Sequence, residues 1–209
     1  MESIVSEAVF LHEHGVREIV LLAQNTTDYG LDLGMKNGLA QLLKKMTAAA
    51  PGIDWFRIMY AFPGGVTDEL IEVMASNKQI VPYIDLPLQH AHPDALRRMG
   101  RPSNVDWVYQ TLDKMRSAIP DLALRSTFIV GYPGETEAEF QSLVDFIGDI
   151  RFDKLGTFKY SFEKGTPKLI GAGLVILGAS RYAPGLVLLR GCAAHGWHYG
   201  FFHHAQTGY

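Results

Sequence analysis

Alternation of strand, turn and helix along this chain, at roughly 30 residues a unit, constrains the fold more than any other feature. Apolar segments that end at polar or Gly/Pro-rich turns alternate with segments of helical periodicity. Consecutive strands separated by helices predict a parallel sheet with right-handed crossovers. Strands are predicted at 16–23, 55–61, 81–86, 122–130 and 155–161, and helices at 2–14, 39–50, 68–75, 93–99, 103–117 and 136–150.

A partial (β/α) barrel fits this order better than a doubly wound sheet. The chain has neither a Gly-rich dinucleotide fingerprint nor a P-loop. Because the chain opens with a helix, we expect that the first strand of the barrel is missing. Such a barrel exposes a strand edge, so we also expect low stability or self-association.

The segment Ser126–Phe140 shows this unit most clearly. Residues 127–130 are β-branched or aromatic, which predicts a strand buried on both faces. Gly131 and Gly134 allow a sharp turn, and Thr136 with Glu139 forms a capping box that starts a helix. Such turns place bare backbone N–H groups beside ligands in parallel α/β folds, although every such fold also has ordinary β-to-α connections.

Composition excludes several classes of protein. With 209 residues, 47% of them hydrophobic, the chain suits one domain, and its net charge of −3 gives no bulk attraction to nucleic acid. Its one cysteine, Cys192, rules out a disulfide framework and any site that needs several thiolates from this chain. The N-terminus lacks the basic and apolar regions of a signal peptide, so we expect a cytoplasmic location and no membrane association.

The composition changes near Lys168, which divides the chain into a barrel fragment, 1–167, and an atypical tail, 168–209. The tail has no Asp or Glu, and its apolar runs are interrupted by Arg181 and Pro184, so it is a poor membrane span. Its four histidines either form a metal site or belong to a terminal segment with no evolved role, and the lack of acidic or thiol partners favours the second alternative. They are His195, His198, His203 and His204.

Several polar residues follow the predicted strands and should meet at the carboxyl edge of the sheet. Gln24, Asn25, Gln89 and His90 can hydrogen-bond a polar ligand without adding charge, although each can also be a simple turn residue. His92 is either a helix cap or a base. The residues alone indicate a ligand-binding α/β protein, with no catalytic residue and no metal ligand assigned.

Arginines raise two further alternatives. Arg57 and Arg125 lie within apolar strands, where each either holds an anion at the barrel mouth or pairs with a carboxylate such as Asp85. The cluster of Arg97, Arg98 and Arg101 is either a solvated face or a binding patch, and the first is more usual.

Five stretches together resemble the radical S-adenosylmethionine methylthiotransferases, over about residues 2–167. They are E-I-V-L-L-A-Q-N-T-T-D-Y-G (Glu18–Gly30), V-T-D-E-L-I-E-V-M-A (Val66–Ala75), P-Y-I-D-L-P-L-Q-H-A-H-P-D-A-L-R-R-M (Pro82–Met99), L-R-S-T-F-I-V-G-Y-P-G-E-T (Leu124–Thr136) and F-K-Y-S-F-E-K-G-T-P (Phe158–Pro167). The second half of the first stretch and D-L-P-L-Q-H-A resemble the branch that modifies a small-subunit ribosomal protein more than the branch that modifies tRNA.

The resemblance implies a radical SAM type of partial (β/α) barrel that holds a 4Fe-4S cluster and S-adenosylmethionine. In the family, the cluster cleaves the cofactor to a 5′-deoxyadenosyl radical, which abstracts hydrogen before a methylthio group is installed. In the ribosomal branch the target is the β-carbon of an aspartate. The matching positions imply that the cofactor is bordered by Gln24, Gln89, His90, Arg125, Gly131 and Tyr132.

Departures from the family pattern leave other interpretations open. The cysteine loop that holds the family's cluster is absent, as are its N-terminal domain and its C-terminal β-rich domain, so we expect an internal fragment that is inactive alone. The alternatives are a relative that modifies adenosine in tRNA, or a cluster-less module that binds a nucleoside-like ligand or a protein. The oligomeric state is not predicted beyond the expected self-association.

Overall fold

Five parallel strands in the order β1-β2-β3-β4-β5 form the centre of the computed structural model, which describes residues 1–161, 174–176 and 189–191. The strands are β1 Glu18–Leu21, β2 Trp55–Ile58, β3 Ile80–Asp85, β4 Ala123–Val130 and β5 Lys154–Lys159. The helices are α1 Glu2–Glu13, α2 Gly38–Ala49, α3 Asp68–Ser76, α4 Pro93–Arg98, α5 Val105–Ala118 and α6 Glu137–Ile150. Because consecutive strands are neighbours, right-handed crossovers place the helices on one side of the sheet, which is the arrangement of a partial barrel.

The region predicted to be an atypical tail contributes two short strands, β6 Leu174–Ile176 and β7 Leu189–Gly191, which pair antiparallel. The four C-terminal histidines and the proposed boundary at residue 168 lie outside the described residues. No helix in the described ranges is long and apolar enough to cross a membrane.

Local signals predicted most helix starts. Thr67 accepts a hydrogen bond from the Leu70 N–H and caps α3, and both halves of the Thr136–Glu139 capping box are present at α6. At α5 the prediction was wrong by one residue, because Asn104 and not Ser103 accepts the capping bond from the Trp107 N–H.

One face of the sheet is buried and the other is not. On β4, Leu124, Ser126, Phe128 and Val130 are buried on the helix side, while the alternate residues from Arg125 to Ile129 are only partly buried. The prediction of burial on both faces was therefore wrong. We call the uncovered side the concave face, and four large apolar residues on it are about half exposed or more: Val20 (49%), Leu22 (68%), Trp55 (53%) and Phe158 (63%).

Glu139 fastens α6 to α4. Its Oε2 accepts hydrogen bonds from the Thr136 N–H at 2.8 Å and from Nη2 of Arg98 at 2.6 Å, and its side chain is only 7% exposed. The Arg98 hydrogen bond, with help from the Thr136 N–H, holds the pKa of the Glu139 carboxyl at about 2, against an ordinary 4.5. A carboxyl whose folded-state pKa is depressed stabilises the fold only while it is ionised.

We predict that stability contributed by Glu139 is complete above about pH 4.5 and is lost as the pH falls from there through about 2. Arg98→Met should lower the free energy of unfolding at pH 7 by about 1–3 kcal/mol and flatten its dependence on pH below 4.5. Urea unfolding at several pH values measures both effects. The control is Arg97→Met. Because the Arg97–Asp94 pair is largely exposed, this substitution should lower the free energy of unfolding by less than about 1 kcal/mol. Equal losses in the two variants would contradict this assignment.

We also predict that exposed apolar side chains of the concave face make the chain self-associate. Trp55→Lys should shift the chain toward monomer in sedimentation velocity, whereas Phe10→Lys, at an equally exposed position on α1, should not. A monomeric wild-type chain with a sharp, cooperative melt would refute this prediction.

Candidate functional site

Gln89 continues the edge of the sheet beyond the end of β3. Its N–H donates to the Thr127 carbonyl at 2.9 Å, and its carbonyl accepts from the Ile129 N–H at 2.7 Å, so its backbone is held against β4. Its φ is +70°, a left-handed conformation that a residue with a side chain adopts only where the surroundings impose it. The half-buried Gln89 amide is therefore carried on a fixed backbone at the carboxyl edge.

His90 is buried beside it and both of its ring nitrogens are engaged. Nδ1 accepts the His92 N–H at 2.9 Å, and Nε2 lies 3.1 Å from Oε1 of Glu135. Because Nδ1 accepts a backbone N–H, the neutral ring carries its proton on Nε2 and donates it to Glu135. The predicted residue is thus at the site, but its imidazole is occupied within the protein.

Glu135 also closes the turn that follows β4. Its Oε2 accepts hydrogen bonds from the N–H groups of Gly131 and Tyr132, the second at 3.1 Å. Gly131 has φ +72°, which glycine adopts without strain. These two N–H groups are not bare, as the ligand-facing alternative for this turn required, because Glu135 accepts from both of them.

Tyr132 joins this turn to two other elements. Its hydroxyl donates to the Arg98 carbonyl at 3.0 Å, at the end of α4. Its ring meets that of Tyr160, just beyond β5, edge to face with centroids 5.0 Å apart. Gln89, His90, Gly131 and Tyr132 are therefore brought together at one place on the carboxyl edge.

Arg125 lies elsewhere, five residues before the end of β4, or about 17 Å along the strand at 3.3 Å a residue. Its Nη1 is 2.7 Å from Oδ1 of Asp85, which is fully buried and whose Oδ2 has no hydrogen-bond partner among the described residues. Burial and then the Asp85 charge raise the pKa of the nearby Tyr83 hydroxyl. Of the two alternatives for Arg125, the structure shows carboxylate pairing with the expected partner.

Arg57 follows the same pattern with a different carboxylate. Its Nε is 2.6 Å from Oε1 of Glu18 on β1, and its guanidinium lies over the Tyr83 ring, 5.0 Å from the centroid. The strand arginines thus form ion pairs on the concave face.

Gln24 is exposed in the loop after β1, two strands away from β3 in the sheet. Its neighbour Asn25 caps a short turn, accepting from the N–H and hydroxyl of Thr27 at 3.2 and 2.6 Å. The Thr26 N–H donates to the Tyr60 carbonyl at 3.0 Å, which ties this loop to the one after β2. Gln24 shares the carboxyl edge but belongs to a separate pair of loops.

The remaining predicted residues have structural roles. His92 is the N-cap of α4, with Nδ1 accepting from the Asp94 N–H at 3.2 Å, as the cap alternative predicted. Arg97 is exposed and pairs with the exposed Asp94, as a solvated face predicts, whereas the half-buried Arg98 pairs with the buried Glu139 and fits neither alternative for the arginine cluster. Sequence reasoning missed the role of Glu135; its signal is a carboxylate four residues after a strand-ending glycine.

Two cavities among the described residues border the loops at the carboxyl edge. A cavity of about 70 Å³ lies beside Gln89 and His90 under Leu96 and Trp107, and another of about 200 Å³ lies at the N-termini of α2 and α3. Small-molecule sites usually enclose roughly 300–1,000 Å³. Neither of these two cavities therefore encloses a nucleotide-sized ligand.

The residues present do not fit an iron–sulfur cluster. Such clusters are held by cysteine thiolates, and the only cysteine, Cys192, lies outside the described residues. Within the described ranges, His92, Asp94 and Glu139 bring potential metal-ligand atoms within 4.8 Å of one another. Both of these carboxylates already pair with arginines, so this group is an ion-pair network.

Curated relatives match most of the chain. The ribosomal protein uS12 methylthiotransferase RimO of Roseiflexus castenholzii is 54% identical over 165 residues, which are 79% of this chain and 34% of the relative. The protein of the same name from Moorella thermoacetica is 51% identical over 166 residues, 79% of this chain and 38% of the relative. The chain thus spans about a third of the length of the curated relatives it matches.

Solved structures share the fold at low sequence identity. Coproporphyrinogen III oxidase (HemN) from Escherichia coli, described as a radical SAM enzyme, has a TM-score of 0.59 at 13% identity and covers 77% of this chain and 36% of its own. The radical S-adenosylmethionine methyltransferase TsrM from Kitasatospora setae, solved with cobalamin and a [4Fe-4S] cluster, has a TM-score of 0.58 at 16% identity over 75% of this chain and 30% of its own.

The fold agrees with the match to a family model. The model described as the radical SAM superfamily covers residues 1–147, more than half of the 209 residues. It includes β1 to β4 and most of α6, together with every residue predicted at the carboxyl edge. The chain belongs to the radical SAM superfamily.

Proposed function

We propose that this chain is the barrel portion of a methylthiotransferase that adds a methylthio group to an aspartate of a small-subunit ribosomal protein. The observation that carries the proposal is the 54% identity over 165 residues to a protein named as a uS12 methylthiotransferase. That match is far closer than the 13–16% identity to radical SAM enzymes that share only the fold.

S-Adenosylmethionine is the cofactor that we assign to the carboxyl edge. Gln89, Gly131 and Tyr132 form its central group, and His90 borders them with both ring nitrogens engaged within the protein. Gln24 approaches from the neighbouring loops, and Arg125 lies below on the concave face. The neutral side-chain amide of Gln89 suits the hydroxyl and ring-nitrogen atoms of a nucleoside, since it donates and accepts hydrogen bonds without a charge to desolvate. The cofactor supplies the methyl group and the radical precursor of the family reaction.

We predict that Gln89→Asn weakens binding of S-adenosylmethionine about tenfold, the effect of losing roughly one hydrogen bond. Asparagine tolerates the left-handed backbone of this position, so the substitution shortens the side chain without disturbing the edge. Equilibrium dialysis with labelled cofactor measures the change. The matched control is Gln110→Asn, on the exposed surface of α5. Equal affinity in the wild type, Gln89→Asn and Gln110→Asn would show that Gln89 does not contact the cofactor.

The 209-residue chain should be inactive alone, because it cannot supply the thiolates of the cluster. We predict that the gene product containing residues 1–167, with the family's cysteine loop, restores the methylthio modification of the ribosomal protein in a bacterial strain that lacks it. Mass spectrometry of the ribosomal protein and of digested tRNA measures both possible targets. A methylthio group on tRNA alone would favour the tRNA branch. Methylthio transfer by the 209-residue chain after treatment with iron, sulfide and S-adenosylmethionine would contradict its inactivity.

A further inference from the structure

His90 and Glu135 connect the two loops that carry most of the proposed cofactor site. Glu135 uses both carboxylate oxygens, Oε1 for the ring of His90 and Oε2 for the N–H groups of Gly131 and Tyr132. The loop after β3 is thereby bonded to the turn after β4 through side chains, in addition to the backbone bonds of Gln89.

Burial makes this connection hard to replace. The side chain of His90 is completely buried and that of Glu135 is 6% exposed. A carboxylate at such a position needs protein donors, because water does not reach it freely, and His90 with the two turn N–H groups supplies three. Removing one donor leaves a buried acceptor unsatisfied and loosens the turn.

The ring of His90 has no nitrogen left for a ligand. Nδ1 accepts the His92 N–H and Nε2 donates to Glu135, so a cofactor at this edge finds neither a free lone pair nor a free N–H on the imidazole. Any effect of His90 on the cofactor must therefore pass through the groups that it holds.

We propose that His90 is a positioning residue, which acts through Glu135 to fix Gly131 and Tyr132 relative to Gln89. The inference rests on the proposed function only in that S-adenosylmethionine is the ligand held by these loops. The left-handed backbone of Gln89, next to His90 in sequence, adds a reason for such a connection, because strained conformations persist only where surrounding bonds impose them.

Two substitutions of His90 separate its hydrogen bond to Glu135 from its acceptance of the His92 N–H. The amide of His90→Gln places a donor near the position of Nε2 and can still reach Glu135. The carbonyl of His90→Asn places an acceptor near the position of Nδ1, so it can accept the His92 N–H but cannot reach Glu135. Glu135→Gln offers an independent test, since it keeps one acceptor and turns the other oxygen into a donor facing the Nε2–H.

Hydrogen exchange and cofactor binding report on the two parts of the inference. In the 209-residue chain, we expect the amides of Gly131 and Tyr132 to exchange about tenfold faster in His90→Asn and Glu135→Gln than in the wild type. Dialysis with S-adenosylmethionine should show an affinity loss of similar size, whereas His90→Gln should remain near the wild type in both measurements. The amides of Phe56 and Ile58 in β2 serve as an internal reference for global stability.

The outcomes distinguish this inference from the proposed function. If the wild-type chain fails to bind S-adenosylmethionine, the cofactor assignment is wrong, while the exchange rates still decide whether His90 fixes the turn. If His90→Asn matches His90→Gln in exchange and affinity, the positioning role is overturned. If both His90 variants unfold, Glu135→Gln is compared with the wild type instead. Unchanged exchange of the Gly131 and Tyr132 amides and unchanged affinity in Glu135→Gln would then overturn the positioning role.

Discussion

The ladder between β3 and β4 is the interaction on which the carboxyl edge depends. Beyond β3 this ladder has a gap, because the Leu86 N–H donates to the Arg125 carbonyl and the next N–H to donate to a β4 carbonyl is that of Gln89. The buried Ser126 hydroxyl repairs the gap, donating to the Leu86 carbonyl at 2.7 Å and accepting from the Leu88 N–H at 3.4 Å. With the gap bridged, Gln89 can return to the ladder between the backbones of Thr127 and Ile129. A side chain on the helix-covered face thus sets the position of residues at the ligand edge.

The loops at this edge form two pairs. Thr27 on the β1 loop accepts from the Phe62 N–H at 3.1 Å, while Glu135 joins the loops after β3 and β4. Tyr132 fastens the second pair of loops to α4, and the Arg98–Glu139 ion pair joins α4 to α6. A ligand that contacts both Gln24 and Gln89 therefore spans the two pairs, and its binding stabilises their relative position.

Local patterns predicted the order of elements and most of their boundaries, but not which strand faces are covered. Capping residues such as Thr67 and Thr136 act within three or four residues, so they can be read directly from the sequence. The exposure of Val20 and the partial burial of Ile129 depend on where the helices pack, which apolar composition alone does not encode. The role of Glu135 likewise depends on His90, 45 residues earlier in the chain.

The charges of the two strand arginines on the concave face are balanced within the face itself. Arg57 pairs with Glu18 and Arg125 pairs with Asp85, each through a short contact between neighbouring strands. Paired in this way, the two arginines add no net positive charge to the floor of the barrel, so long-range attraction of an anion is weak there. Arg125 can contribute to a cofactor site only through the guanidinium N–H groups that Asp85 does not use. The ion pair with Asp85 also fixes the position of that guanidinium. Selectivity for a ligand then depends on the geometry of the carboxyl edge, where hydrogen bonds hold Gln89, Gly131 and Tyr132 in place.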